Sequence, residues 1–221
     1  MPATGPYADR LHAGRVLAGQ VAAHPLLAGH PRDVVILGLP RGGVVVAAPL
    51  AAALHAPLDA VVVRKLGLPG RPELAMGAVA AVAGRLEVVW NPAVLADAQV
   101  SDADLGAVLE REMAELYRRE QLYRPGRPPP ALAGTTVVLV DDGLATGASV
   151  RAALDGVRRQ RPAAVVVAVP VGAPATCRAL AHEVDALVCP VRPDPFGAVG
   201  QAYEDFTATT DEEVRAALRS P

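Results

Sequence analysis

The stretch VVLVDDGLATGAS, Val137 to Ser149, runs four apolar residues straight into two adjacent acids, Asp141 and Asp142. Neighbouring carboxylates repel each other, and neither belongs in a dry interior. A strand that ends on them needs a partner beyond its tip. Gly143 and Gly147 permit a sharp turn there, and Ala145, Thr146, Gly147, Ala148 and Ser149 lead into a helix start. Backbone N–H groups, two hydroxyls and the positive end of a helix dipole converge at such a turn, which is the chemistry of a phosphate cradle. A phosphate beside two carboxylates makes sense when a sugar and a divalent cation lie between them. The acids then accept bonds from ribose hydroxyls or from the waters of Mg²⁺, a cation that keeps most of its water shell. The expectation is that a ligand and its metal offset the repulsion.

Two further segments carry charge at element ends. GLPRGG, Gly38 to Gly43, is a glycine-rich turn bearing Arg41; with Pro40, Gly42 and Gly43 it can offer N–H groups and one guanidinium to a pyrophosphate. It fits neither the dinucleotide fingerprint nor the P-loop pattern. Arg64 and Lys65 stand at the end of an apolar run, Ala60–Val63. Lys65 is the only lysine in a chain that otherwise uses arginine, and a compact ammonium differs from a guanidinium in what it binds.

The elements that would position these residues follow from periodicity. Residues 8–24 show a helical apolar stripe, and Val34–Leu37 reads as a strand. A helix over Val44–Leu54 and a strand over Ala60–Val63 complete a βαβ unit. The pattern returns as strand Val137–Val140, helix Ser149–Gln160, strand Ala164–Val169, helix Ala175–His182 and strand Ala186–Cys189. Thr210–Glu213 has the form of a capping box that opens a last helix. The strands are apolar throughout, as parallel strands covered on both faces are. The fold class predicted is α/β, a doubly wound, mainly parallel sheet with helices on both faces, in which ligands bind beyond the carboxyl ends of the strands. Residues 1–221 are read as one domain with an insertion over about 66–134 and a tail over about 190–221. The insertion contains a hairpin (Ala78–Val82 and Leu86–Trp90) and a helix from Ser101, and serves as a lid or an interface.

On these motifs the chain resembles the type I phosphoribosyltransferases. VVLVDDGLATGAS is similar to their phosphoribosyl-pyrophosphate (PRPP) motif, and GLPRGG to their pyrophosphate loop. Arg64–Lys65 corresponds to a pair that, in several of these enzymes, reaches toward pyrophosphate. From ADRLHAGRVLA to the terminal helix, the chain resembles bacterial stand-alone phosphoribosyltransferases of undefined acceptor. The resemblance implies that Asp141 and Asp142 face the ribose hydroxyls and, through water, Mg²⁺. It implies that Ala145 to Ser149 wrap the 5′-phosphate, and that Arg41 and Lys65 assist departure of pyrophosphate when a nitrogen nucleophile attacks. The insertion, opened by Arg71 and Glu73, would then exclude water. The tail PFGAVGQAYEDF would close over the acceptor, with Phe196 and Val199 against its plane and Tyr203 and Asp205 at its edge. Ala145 stands where hypoxanthine–guanine enzymes carry an aspartate, which counts against 6-oxopurines. The resemblance leaves a second possibility, a regulator of the same fold that binds PRPP without catalysis.

Composition bounds the alternatives. A net charge of −2 lacks the basic excess of a general nucleic-acid binder. Cys177 and Cys189 sit in apolar segments and read as reduced core residues. No signal segment and no membrane-spanning run stands out, so a cytoplasmic protein is expected. The resemblance implies PRPP and a small acceptor as its partners, and a homodimer is expected. The five histidines have no metal-ligand spacing, and Ser149 lacks a nucleophile elbow.

Overall fold

The computed structural model describes residues 7–27, 33–98 and 100–219. Its core is a five-stranded sheet of β1 (Val34–Gly38), β2 (Leu58–Ala60), β6 (Thr136–Val140), β7 (Ala164–Ala168) and β8 (Ala186–Val188). The order is β2-β1-β6-β7-β8, and every pair is parallel. Alternate residues of these strands feed two separate cores, as a pleat requires. Val34, Ile36, Val138, Val140, Val166 and Ala168 pack against α1 (Arg10–Ala22) and α2 (Gly42–Leu54). Val35, Leu37, Val137, Leu139, Val165 and Val167 pack against α5 (Ala148–Arg159) and α6 (Pro174–Ala181). The doubly wound α/β class is what the structure has.

A second sheet, antiparallel, is built from β3 (Val62–Leu68), β4 (Arg71–Val82) and β5 (Arg85–Trp90). The β4–β5 hairpin turns at Ala83 and Gly84, both with positive φ. After α3 (Pro92–Ala98), the long α4 (Asp102–Tyr123) lays Val108, Leu116 and Tyr123 onto this sheet. Here the expected strand Ala60–Val63 is corrected. The apolar run holds no turn residue, yet the chain leaves the core sheet at Val61, whose N–H still reaches Gly38 O at 3.0 Å. Val62 onward pairs with β4 instead. The flap therefore begins at about residue 62 rather than 66.

The last helix, α7 (Asp211–Arg219), starts on the expected capping box. Thr210 N donates to Glu213 Oε2 at 2.7 Å, and Glu213 N donates to Thr210 Oγ1 at 3.2 Å. Its Val214 and Leu218 join the flap-side core with α4. The tail is thus divided: residues 196–206 cover the carboxyl end of the core sheet, while α7 braces the flap. Among the described residues, no helix is long and apolar enough to cross a membrane.

Candidate functional site

Strand order reverses between β1 and β6, and in sheets of this order the crevice beyond those two strands is the binding position. GLPRGG follows β1 and DDGLATGAS follows β6, so the topology brings the two glycine turns together. Leu39 N donates to Val140 O at 2.8 Å. A Cβ on Gly43 would stand 2.7 Å from Val140 O and 2.8 Å from Asp141 Cα. Glycine is required there because the two backbones touch. A Cβ on Gly42 would overlap Asp142 Oδ2 and come within 2.6 Å of Arg10 Nε. Arg41 is exposed at the start of α2, and its bond to Pro40 is cis.

At the other turn Gly147 takes the left-handed conformation, φ 76°, and α5 starts at Ala148. Thr146 Oγ1 accepts from Ala148 N at 3.4 Å, Thr146 O accepts from Arg151 Nη1 at 3.0 Å, and Ala145 O accepts from Thr176 Oγ1 at 2.6 Å. The loop is therefore held from below while Ala145, Thr146, Ala148 and Ser149 are exposed. A helix start leaves its first N–H groups without intrahelical partners, and an anion suits them.

The acid pair is where the structure adds most to the sequence. Asp142 N donates to Asp141 Oδ1 at 2.9 Å, and Arg10 Nε donates to Asp142 Oδ2 at 2.8 Å. The chain itself thus supplies part of the offset that the sequence alone assigns to a ligand. Burial, and secondarily the Asp142 charge, push the Asp141 carboxyl up to about 8, against the pull of the Asp142 N–H and Arg10. One acid is held neutral over most of the ordinary pH range while its neighbour pairs with a cation. Removal from water, more than the neighbouring charge, keeps the Asp141 carboxyl protonated. Among the described residues, no group of three or more His, Cys, Asp or Glu side chains could hold a metal. Two acids alone fit a cation that brings most of its ligands with it, as Mg²⁺ does when shared with substrate phosphates.

Other expected residues lie differently. Arg64 donates Nε and Nη2 to Glu112 Oε2 at 2.9 and 2.6 Å, and Arg111 Nε donates to Glu112 Oε1 at 3.1 Å. Arg64 is thus bound to α4 within the flap. Lys65, next along β3, is exposed and belongs to the opposite face of the strand. Both line a cavity of about 590 Å³ between the β3–β4 turn and α4, which no dyad residue borders. The side chain of Glu73 lies outside the described residues.

In the tail, Val199 packs on Gly143, where a Cβ would overlap it. Tyr203 is buried, and its hydroxyl, expected at an acceptor's edge, donates instead to Asp142 O at 2.5 Å. Burial raises its pKa further above the ordinary phenol range. Its ring stacks on Phe206 at 4.9 Å and Tyr7 at 5.6 Å. Asp205 turns back to accept from Thr207 N and Oγ1, which lowers its pKa. Phe196 is half-buried against this cluster. Sequence reasoning missed Arg10, Glu112 and Phe206. Arg10 lies 132 residues from its acid, and no local spacing reveals such a pair.

Comparison with known proteins shows the family. A Mycobacterium tuberculosis protein, provisionally named a phosphoribosyl transferase, is 45% identical over 95% of this chain. The chain spans 46% of that relative's length, about half. The crystal structure of TT1426 from Thermus thermophilus is similar at 44% identity and TM-score 0.80, covering 97% of this chain and 98% of that one. The sequence pattern of the phosphoribosyl transferase domain matches residues 13–205, so the chain belongs to the phosphoribosyl transferase domain family.

Proposed function

We propose that this domain transfers a 5-phosphoribosyl group from PRPP to a nitrogenous base or a related small nucleophile, with release of pyrophosphate. The observation that carries the reading is the contact of the Gly42–Gly43 backbone with the acid pair at the switch point of the sheet. It brings the GLPRGG turn against the two acids that lead into the 145–149 turn, which supports a role for all three in holding PRPP. In the reaction the C1–O bond to pyrophosphate breaks as a bond from the acceptor nitrogen to C1 forms, and the leaving group departs with the electron pair. Residues 145–149 hold the 5′-phosphate, and Asp141 and Asp142 accept from the ribose hydroxyls. Arg41, the N–H groups of Gly42 and Gly43, and Lys65 once the flap approaches, stabilise the charge on departing pyrophosphate. Groups of this kind are commonly worth about a hundredfold in rate each. Mg²⁺ carried in with PRPP would supply further charge neutralisation there. Val199, with the Tyr203–Phe206 stack behind it, closes the crevice and keeps water from the ribosyl cation.

A non-catalytic PRPP-binding regulator is the second reading. It is favoured by one observation, the engagement of Arg64 by Glu112, which leaves fewer cations for pyrophosphate. Calorimetric titration with PRPP and Mg²⁺, followed by a panel of bases assayed for pyrophosphate release, separates the two. Binding with release supports transfer, and binding without release across the panel supports the regulator. The double variant Asp141→Asn with Asp142→Asn is expected to lose PRPP binding while keeping its unfolding cooperativity. Unchanged affinity in that variant would sink both readings.

A further inference from the structure

Arg10 is tied on three sides. Its Nε donates to Asp142 Oδ2, its Nη1 donates to Thr207 O at 2.8 Å, and its guanidinium carbon stands 3.9 Å from the centre of the Phe206 ring. Only 11% of the side chain is exposed, against 20% for Asp142. The segment that carries it is also fixed. Tyr7 N donates to Ala202 O, Glu204 N to Tyr7 O and Asp205 N to Ala8 O, at 2.6, 2.7 and 2.9 Å. Asp9 then caps α1 by accepting from His12 N at 2.7 Å. Residues 7–10 therefore form a short clasp with residues 202–207, and Arg10 is delivered from that clasp to the second acid. Tyr203, on the same clasp, donates to the main-chain oxygen of the same residue. Asp142 is thus held at its carboxylate and its carbonyl by two side chains from opposite ends of the chain. Arg10 precedes the span that carries the family pattern, which begins at residue 13.

We propose that Arg10 is a positioning residue for Asp142. It takes one carboxylate oxygen and fixes the side-chain rotamer, so that the acid meets an arriving sugar hydroxyl without first losing conformational freedom. A planar guanidinium braced by a ring and a carbonyl can do this, whereas a lysine at the same place lacks both the fork and the stacking face. The tail residues Phe206 and Thr207 brace the guanidinium in turn. This inference rests on the reading that Asp142 faces PRPP.

The test is calorimetric titration of PRPP in the presence of Mg²⁺ into the wild type, Arg10→Gln, Arg10→Lys, Asp142→Asn, the double variant R10Q/D142N and Phe206→Leu, with an unfolding curve for each. If the wild type binds no PRPP, the functional reading itself is wrong. If it binds, R10Q is expected to weaken binding about tenfold, and R10K by nearly as much because only the charge is kept. In the D142N background the same R10Q change should alter affinity by less than about twofold, since the acid through which it acts is gone. F206L should cost about two- to fivefold in affinity with the arginine intact. Should R10Q fail to fold, R10K and F206L carry the same comparison. Affinity within twofold of wild type in R10K and F206L, or an equal R10Q loss with and without Asp142, would overturn the proposal. A merely structural arginine would lower the unfolding midpoint and leave the affinity of the folded protein unchanged.

Discussion

Replacing Asp141 by Asn should make the folded protein more stable, and increasingly so as pH rises. Asp141 carries a carboxyl raised from an ordinary 3.8 to about 8, first by burial and then by the adjacent Asp142 charge. Below pH 4, folded and unfolded chains both hold the proton, and the site costs nothing. Between pH 4 and 8 the folded chain keeps a proton that the unfolded chain has released, so stability falls as pH rises. Above pH 8 the acid is ionised in both states and the penalty is complete. A gap of about four pH units, at about 1.4 kcal/mol each, sets a ceiling of about 5–6 kcal/mol. Asp141 keeps partial solvent contact, which reduces the effective figure to about 2–4 kcal/mol. Asn retains the oxygen that accepts from Asp142 N at 2.9 Å, so the substitution removes the charge and spares that bond. Urea unfolding of both proteins at steps from pH 4.5 to 9 reads the difference. The advantage of D141N should grow from under about 1 kcal/mol at the acid end to about 2–4 kcal/mol at pH 9. Parallel curves across that range, or a wild type more stable at pH 9, would refute the assignment of Asp141 as the desolvated member of the pair.

Two further outcomes test the supports of the site. Gly147→Ala places a side chain at φ 76°, within 3.1 Å of Arg151 Nη1 and Thr176 Cγ2; a loss of about 1–2 kcal/mol is expected in urea unfolding, together with weaker sulfate binding at the 145–149 turn by calorimetry. Arg124→Met strands the buried Asp59, whose Oδ2 lies 2.6 Å from Arg124 Nη2; breaking such a pair costs about 3–5 kcal/mol, readable as a lowered thermal midpoint, and an unchanged midpoint would show that α4 is not anchored to β2 through this pair.

What is legible in the sequence is what is local. Strands Val34–Leu37 and Val137–Val140 lie within a residue of β1 and β6, because apolar β-branched runs bounded by glycine and charge leave little choice. The 145–149 turn is readable from glycine and hydroxyl spacing alone. The Ala60–Val63 run misleads because periodicity cannot say which strand a residue pairs with; its first residue joins the core sheet and the last two join the flap. That error carries Arg64 to a core strand tip, when its partner is Glu112 on a helix 48 residues away. Arg10 is hidden for the same reason. Its neighbours in sequence read as an ordinary helix start, and only the closure of the tail onto residues 7–10 reveals its target. Tyr203 is expected at an acceptor's edge, but its hydroxyl partner is the backbone oxygen of Asp142, which composition cannot display.

The pairing of residues 7–10 with 202–207 limits how this domain can be rebuilt. A shortened version that began at the first core strand would strip away α1, whose Leu17 and Val21 cover one face of the sheet, and with it the guanidinium beside Asp142. Any replacement of residues 202–207 would have to keep main-chain partners for Tyr7 and Ala8, because the two distant pieces of chain bond to each other directly.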